Sequence, residues 1–194
     1  MSETPQQYTE RILSYVDGQD PLSVQAATAK KLDRLIKGVS TARLRKRPAP
    51  EKWSVSEIVA HLADAEIVGG FRMRLILGSP GVEIAAYDQD AWNTSGHYGA
   101  RDPRKSVEQF RVVRDGNLVL LKSLTPEQWR HDGLHSERGR ESIELMARML
   151  AGHDVNHLRQ IEAILGSASG APGARRRRPG SPVRRRGRRR AARA

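Results

Sequence analysis

Apolar residues recur along the chain at intervals of three and four, which is the period of an amphipathic helix. One segment carries Leu22, Ala29, Leu32, Leu35, Ile36 and Val39, and a second carries Ile58, Leu62, Ala65, Phe71, Leu75 and Ile76. A third runs through Val107, Phe110, Leu118, Leu121 and Leu124, and the last through Ile143, Met146, Met149, Leu150, Ile161, Ile164 and Leu165. No stretch alternates with period two for long enough to suggest a sheet. Thr4-Pro5, Asp20-Pro21, Asp102-Pro103 and Thr125-Pro126 each place a good N-cap before a proline at the first helical position. Ser54-Val-Ser-Glu57 reads as a capping box, with Trp53 just before it. The pattern predicts four long helices near 21–41, 54–77, 103–123 and 141–165, with a short helix near 5–17. This is an all-α protein, a four-helix bundle. The chain divides into an N-terminal helical extension (1–19), the bundle (20–166) and a tail (167–194). The link at 79–101 is long for a bundle, and long ordered loops are often functional. Its Tyr87, Trp92 and Tyr98 either cover a cavity or simply pin the crossing segment.

Charge changes this picture less than its total suggests. The formal net charge is +12, yet 11 of the 34 basic side chains are arginines between Arg175 and Arg193. Removing them leaves 23 basic against 22 acidic side chains, so the basicity belongs to the tail. That tail is Gly, Ala, Ser, Pro and Arg, with almost nothing to bury, and is expected to be disordered. It suits at most non-specific binding to a polyanion, since no aromatic residue stands among the arginines to stack a base. The chain has no cysteine, which excludes disulfides, thiolate metal sites and a cysteine nucleophile. No secretory signal and no apolar run of about 18 residues is present, so a cytoplasmic location is expected.

The chemistry lies in the histidines. His153 and His157 stand one helical turn apart among Met146, Met149, Leu150, Ile161 and Ile164, so they take core positions. His61 falls on the stripe of Ile58, Leu62 and Ala65 and points inward as well. A buried imidazole left without partners costs about 1–3 kcal/mol per unmet group. Three neutral imidazoles around one divalent ion meet that need, and a His₃ set leaves a coordination position open. For each histidine, the alternative is an ordinary hydrogen-bonded core residue. The motif is not HExxH, because Asp154 takes the glutamate position; Asp154 is nonetheless the nearest candidate for a general base. Asp64, one turn past His61, either orients that imidazole or is solvated. His97, His131 and His135 fall in loops, the first two at the surface and His135 as a candidate pocket donor.

The stretches PAPEKWSVSEIVAHLADAE (48–66), HSERGRES (135–142) and LMARMLAGHDVNHLRQIEAIL (145–165), with DQDAW (88–92), resemble the DinB-like family of metal-binding four-helix bundles. The resemblance covers roughly residues 20–166. It implies an up-down-down-up chain path, which would account for the long crossover. It also implies a zinc, nickel or similar ion held by His61, His153 and His157. Less directly, it implies kinship with bacillithiol- and mycothiol-dependent S-transferases and isomerases. One reading is therefore a metal-dependent S-transferase that brings a low-molecular-weight thiol to a small electrophile, with Trp92, Tyr98 and His135 as candidate pocket residues. The other is a non-catalytic metal-binding protein of a stress response, or a metal-dependent hydrolase. A homodimer is expected.

Overall fold

A computed structural model describes residues 3–167, so the arginine-rich tail and what was expected of it lie outside the described residues. The long helices are α2 (Pro21–Ile36), α4 (Val55–Gly78), α6 (Pro103–Ser123) and α8 (Ile143–Ser167). Shorter ones are α1 (Pro5–Ser14), α3 (Thr41–Arg45), α5 (Gln89–Ser95) and α7 (Pro126–Arg130), with a 3₁₀ turn at Tyr98–Ala100. The caps behave as their sequences require. Asp20 and Asp102 accept backbone N–H groups at the starts of α2 and α6, and Thr4, Ser54 and Thr125 each close a full capping box.

The segment expected as one helix over 21–41 is broken. α2 stops at Ile36, Gly38 adopts a left-handed φ of +74°, and Ser40 caps the separate α3. A second difference is a small sheet. β1 (Glu83–Ile84) pairs in parallel with β2 (Asp132–His135), which forms an antiparallel hairpin with β3 (Gly139–Ser142). Strands of two to four residues are too short for alternation to register in sequence. Gly139, at φ +76°, closes the hairpin turn in a conformation that side chains disfavour.

In cross-section α2 neighbours α6 and α8, and α4 neighbours the same two helices. α4 and α6 run parallel: Glu66 meets Arg114, and further along both helices Gly70 meets Asn117. The 79–101 crossover must therefore return the length of the bundle. It leaves β1 beside β2 at the end of α4 and reaches the start of α4 where Asn93 bonds Glu57 and Arg101 bonds Asp64. Phe71, expected on the inner stripe, is 60 % exposed. The inward line of α4 passes through His61, Glu66, Gly69, Met73 and Ile76, and position 71 falls on the other side.

The core has two large apolar clusters separated by a polar layer, and a small third one of Val16, Val24 and Ala151. Leu32, Val55, Ile58, Leu62, Phe110 and Ile161 belong to one cluster, and Met73, Ile76, Leu121, Ile143 and Met146 to the other. Between them on the four long helices lie Gln25, Glu66, Arg114, Asn117 and Asp154, all fully buried. Arg114 donates to both oxygens of Asp154 (2.6 and 3.2 Å), to Glu66 (2.6 Å) and to the Gln25 carbonyl (3.0 Å), while Asn117 donates to Glu66 (2.8 Å).

α1 packs on α8 through a close backbone approach, Gly152 against the Ile12 carbonyl. A Cβ at position 152 would collide with that carbonyl, which as backbone cannot give way alone. Gly152→Ala is therefore expected to push α1 off α8 and to destabilise the protein by about 1–3 kcal/mol. Chemical denaturation of the variant beside wild type measures this. Equal midpoints would show that α1 contributes no tight packing.

Candidate metal centre

The three inward histidines meet. His61 comes from the second turn of α4, fixed by the Ser54 capping box, and His153 and His157 come from successive turns of α8. Their Nε2 atoms converge, with His153 Nε2 lying 3.0 Å from that of His61 and 3.1 Å from that of His157. Gln160 Oε1 lies 2.9 Å from His157 Nδ1. An amide oxygen only accepts, so His157 carries its proton on Nδ1 and offers a bare Nε2 to the centre. Trp53 packs edge-on against the His61 ring at 5.1 Å and donates its indole N–H to Asp90 on the crossover.

Burial sets the protonation. It pushes His61 down to about 3, with His157 adding to the effect, and pushes His157 down to about 4 against the pull of Gln160. Burial also lowers His153, helped by the other two imidazoles and by Arg114. At neutral pH all three are uncharged, the form that ligates a metal. Three bare or nearly bare ring nitrogens facing one another cannot satisfy each other by hydrogen bonding alone, whereas an ion among them can. The donor set fits a divalent ion, and these are the described residues grouped closely enough to hold one.

Two cavities open on this centre. The larger, about 490 Å³, is walled by His61 and His153, by Ala65, Val68, Met146, Met149 and Leu150, and by Tyr8, Arg72, Tyr87 and Arg138. The smaller, about 340 Å³, reaches His157, Gln160 and Trp53. Glu3, Tyr8, Gln89 and Asp90 line both, so the two adjoin.

Other residues singled out in the sequence are placed elsewhere. Asp154 is 1 % exposed, held by Arg114, and lines neither cavity. Asp64 neither orients His61 nor stands free, because Arg101 grips both its oxygens at 3.0 and 3.1 Å. Trp92 packs at a tilt against Tyr87 (4.5 Å between rings), while Tyr98 is buried under the Arg101 guanidinium. His135 is buried in β2, its Nδ1 accepting from the Glu137 N–H and its Nε2 without a partner. None of these three lines either cavity. His97 is exposed, and His131 is half-buried. Of the three crossover aromatics offered as cavity covers, Tyr87 does line the larger cavity, while the walls contributed by Tyr8, Trp53, Arg72 and Gln160 were not singled out as site residues. Of these only Gln160, three positions after His157, had a local signal.

A family profile described as the DinB superfamily matches residues 26–161. The chain belongs to the DinB superfamily. Among its relatives is a protein of Oceanobacillus iheyensis, OB0413, provisionally named a metal-dependent hydrolase; it is 23 % identical over 141 residues, covering 73 % of this chain and 81 % of the relative. YfiT of Bacillus subtilis, provisionally named in the same way, is 25 % identical over 113 residues, 58 % of this chain and 64 % of the relative. The solved structure of YfiT, described as a probable metal-dependent hydrolase with an unusual four-helix bundle topology, superposes with a TM-score of 0.73 at 20 % identity, covering 87 % of this chain and 91 % of that one. That likeness shows that this DinB chain shares the bundle fold. Among its described residues no helix is long and apolar enough to cross a membrane.

Proposed function

We propose that this DinB protein binds one divalent ion, zinc, nickel or similar, through His61, His153 and His157, and transfers a low-molecular-weight thiol to a small electrophile. The observation that carries the reading is that two adjoining cavities, which share Glu3, Tyr8, Gln89 and Asp90 in their walls, reach different members of one imidazole cluster, the larger His61 and His153 and the smaller His157. A transfer between two substrates uses two approaches. A divalent ion held there supplies Lewis acidity, which makes a thiol nucleophilic at neutral pH. The sulfur forms the new bond to carbon, the leaving halide or opened epoxide oxygen takes the electron pair, and the thiol proton passes to solvent. The chain's own part is to hold the three imidazoles neutral by burial, to fix His157 through Gln160, and to exclude water with Trp53 and the apolar floor. No carboxylate base is required, which accords with the burial of Asp154 under Arg114. A homodimer would cover Ile67, Phe71, Val112 and Val119, exposed apolar side chains of the adjacent helices α4 and α6.

A second reading, a metal-dependent hydrolase, is favoured by the names given to OB0413 and YfiT. Elemental analysis of purified protein, followed by conjugation assays with several thiols, separates the two. One ion per chain is expected. His157→Ala should cut metal affinity sharply, by tenfold or more, and His97→Ala should not. Equal metal retention by the two variants would misplace the site. Metal-loaded protein whose absorption, with cobalt or nickel, is unmoved by any thiol would leave hydrolysis as the better reading.

A further inference from the structure

The larger cavity is elongated. His61 and Arg72 stand on its wall eleven positions apart on α4, which is about 16 Å along a helix. Between them the floor is apolar, formed by Ala65, Val68, Met146, Met149 and Leu150. The far end carries a guanidinium in an unusual state. Arg72 is half-buried, and among the described residues no carboxylate lies within ion-pair distance of it. Its Nη2 donates to the Ala85 carbonyl at 2.5 Å and its plane lies over the Tyr87 ring at 5.6 Å, so its direction is set. Among the described residues Nε and Nη1 have no protein acceptor. Burial lowers the Arg72 pKa and the nearby Arg138 adds to this, against the pull of Tyr87, Glu141 and Glu137; Arg138 is itself paired with Glu141, whereas Arg72 has no carboxylate in contact among the described residues.

Of the carboxylates on the same wall, Glu141 and Glu137 act on Arg72 only from beyond ion-pair distance. Glu3 is held by Arg11, Glu141 by Arg138 at 2.5 Å, Asp88 by the first N–H groups of α5, and Asp90 by Trp53. Glu137 is exposed and, among the described residues, makes no ion pair. Tyr8, beside Arg138, has a hydroxyl with no protein partner among the described residues.

We infer that the larger cavity takes an elongated substrate with an apolar body and a terminal carboxylate, the carboxylate paired with Arg72 and the reacting end at the histidines. The placement of the reacting end rests on the function proposed above; the pairing with Arg72 does not. A carboxylate matches the two free donors of an oriented guanidinium in a way that a neutral or cationic group does not.

Calorimetric titration of the full chain with octanoate, octanamide and octylammonium tests this, on protein as purified and again after chelator treatment. Octanoate is expected to bind tightest in both, on the order of tenfold or more over octanamide, as one charge-assisted contact provides. Arg72→Gln should bring octanoate down to the level of octanamide and leave octanamide unchanged. Arg72→Lys, which keeps the charge and loses the fork, should retain part of the preference and serves if the glutamine variant does not fold. Octanoate no tighter than octanamide in wild type, octylammonium tightest, or an undiminished preference in Arg72→Gln would each overturn the inference. The chelator-treated arm keeps the two ideas apart: the carboxylate preference stands or falls there without a metal, and metal content is read separately.

Discussion

Arg114→Met should be among the most destabilising single changes in the bundle, lowering the unfolding free energy by about 3–5 kcal/mol. Arg114 is buried at 1 % exposure and ties α6 to Glu66 on α4, to Asp154 on α8 and to the Gln25 carbonyl on α2. Its removal leaves two carboxylates facing each other without a counter-charge, in the layer between the two apolar clusters. Burial already pushes Asp154 up against the pull of Arg114, so in the variant a carboxyl should take up a proton near neutral pH. Two checks follow from this cause. The destabilisation measured by denaturant should shrink as the pH is lowered towards 5. It should also shrink when Glu66→Gln and Asp154→Asn accompany Arg114→Met, because neutral amides need no cation. A loss of less than about 1 kcal/mol would mean that the layer relaxes freely, and the buried network would then not be what fixes the four helices.

The metal-free protein should lose stability steeply as the pH falls from 7 to about 4.5. His61 titrates at about 3 and His157 at about 4 in the folded chain, because both are buried. In the unfolded chain a histidine titrates near 6.5. Between those values the unfolded state binds protons that the folded state does not, so stability is fully present above about pH 7 and declines as the pH drops. Two such groups, with His153 shifted in the same direction, amount to several kcal/mol on an order-of-magnitude reckoning. Glu57 does not confuse this window. Although burial opposes it, its bonds from Arg47 and Ser54 hold its carboxyl at about 2, so its contribution is lost only below the ordinary carboxylate range. Melting temperatures in chelator at pH 7 and pH 4.5 measure the effect, and His61→Leu with His157→Leu should flatten the slope. A wild-type melting temperature that did not move over this range would mean that the imidazoles are not held neutral by burial. Saturating metal should raise the melting temperature at pH 7, because an ion bound only by the folded state adds to its stability.

Much of the scaffold is local and was therefore legible. Proline after Thr4, Asp20, Asp102 and Thr125 marks helix starts because a fixed φ and a side-chain acceptor act within one turn. His61, His153 and His157 were readable as inward because helical period alone puts them among Ile58, Leu62 and Ile161. The family resemblance added the chain path. By contrast, Phe71 was assigned to the inner stripe and lies outside. Which side of α4 faces the core past residue 66 depends on where α6 packs, and there Gly70 lets Asn117 approach.

The rest needed the tertiary structure, because it depends on contacts between residues far apart in the chain. Asp154 looks like a base beside a metal ligand until Arg114, 40 residues away, is seen to hold it. Asp64 looks like a partner for His61 until Arg101 is placed beside it. The cavity walls bring together Tyr8 of α1, Arg72 of α4, Tyr87 of the crossover and Arg138 of the β2–β3 turn, and no spacing relates them. Sequence periodicity determines which face of a helix turns inward, because that is a property of one helix. What each inward side chain meets, and so whether a polar residue braces the core or faces a substrate, is decided only when the helices pack and desolvation forces every buried group to find a partner.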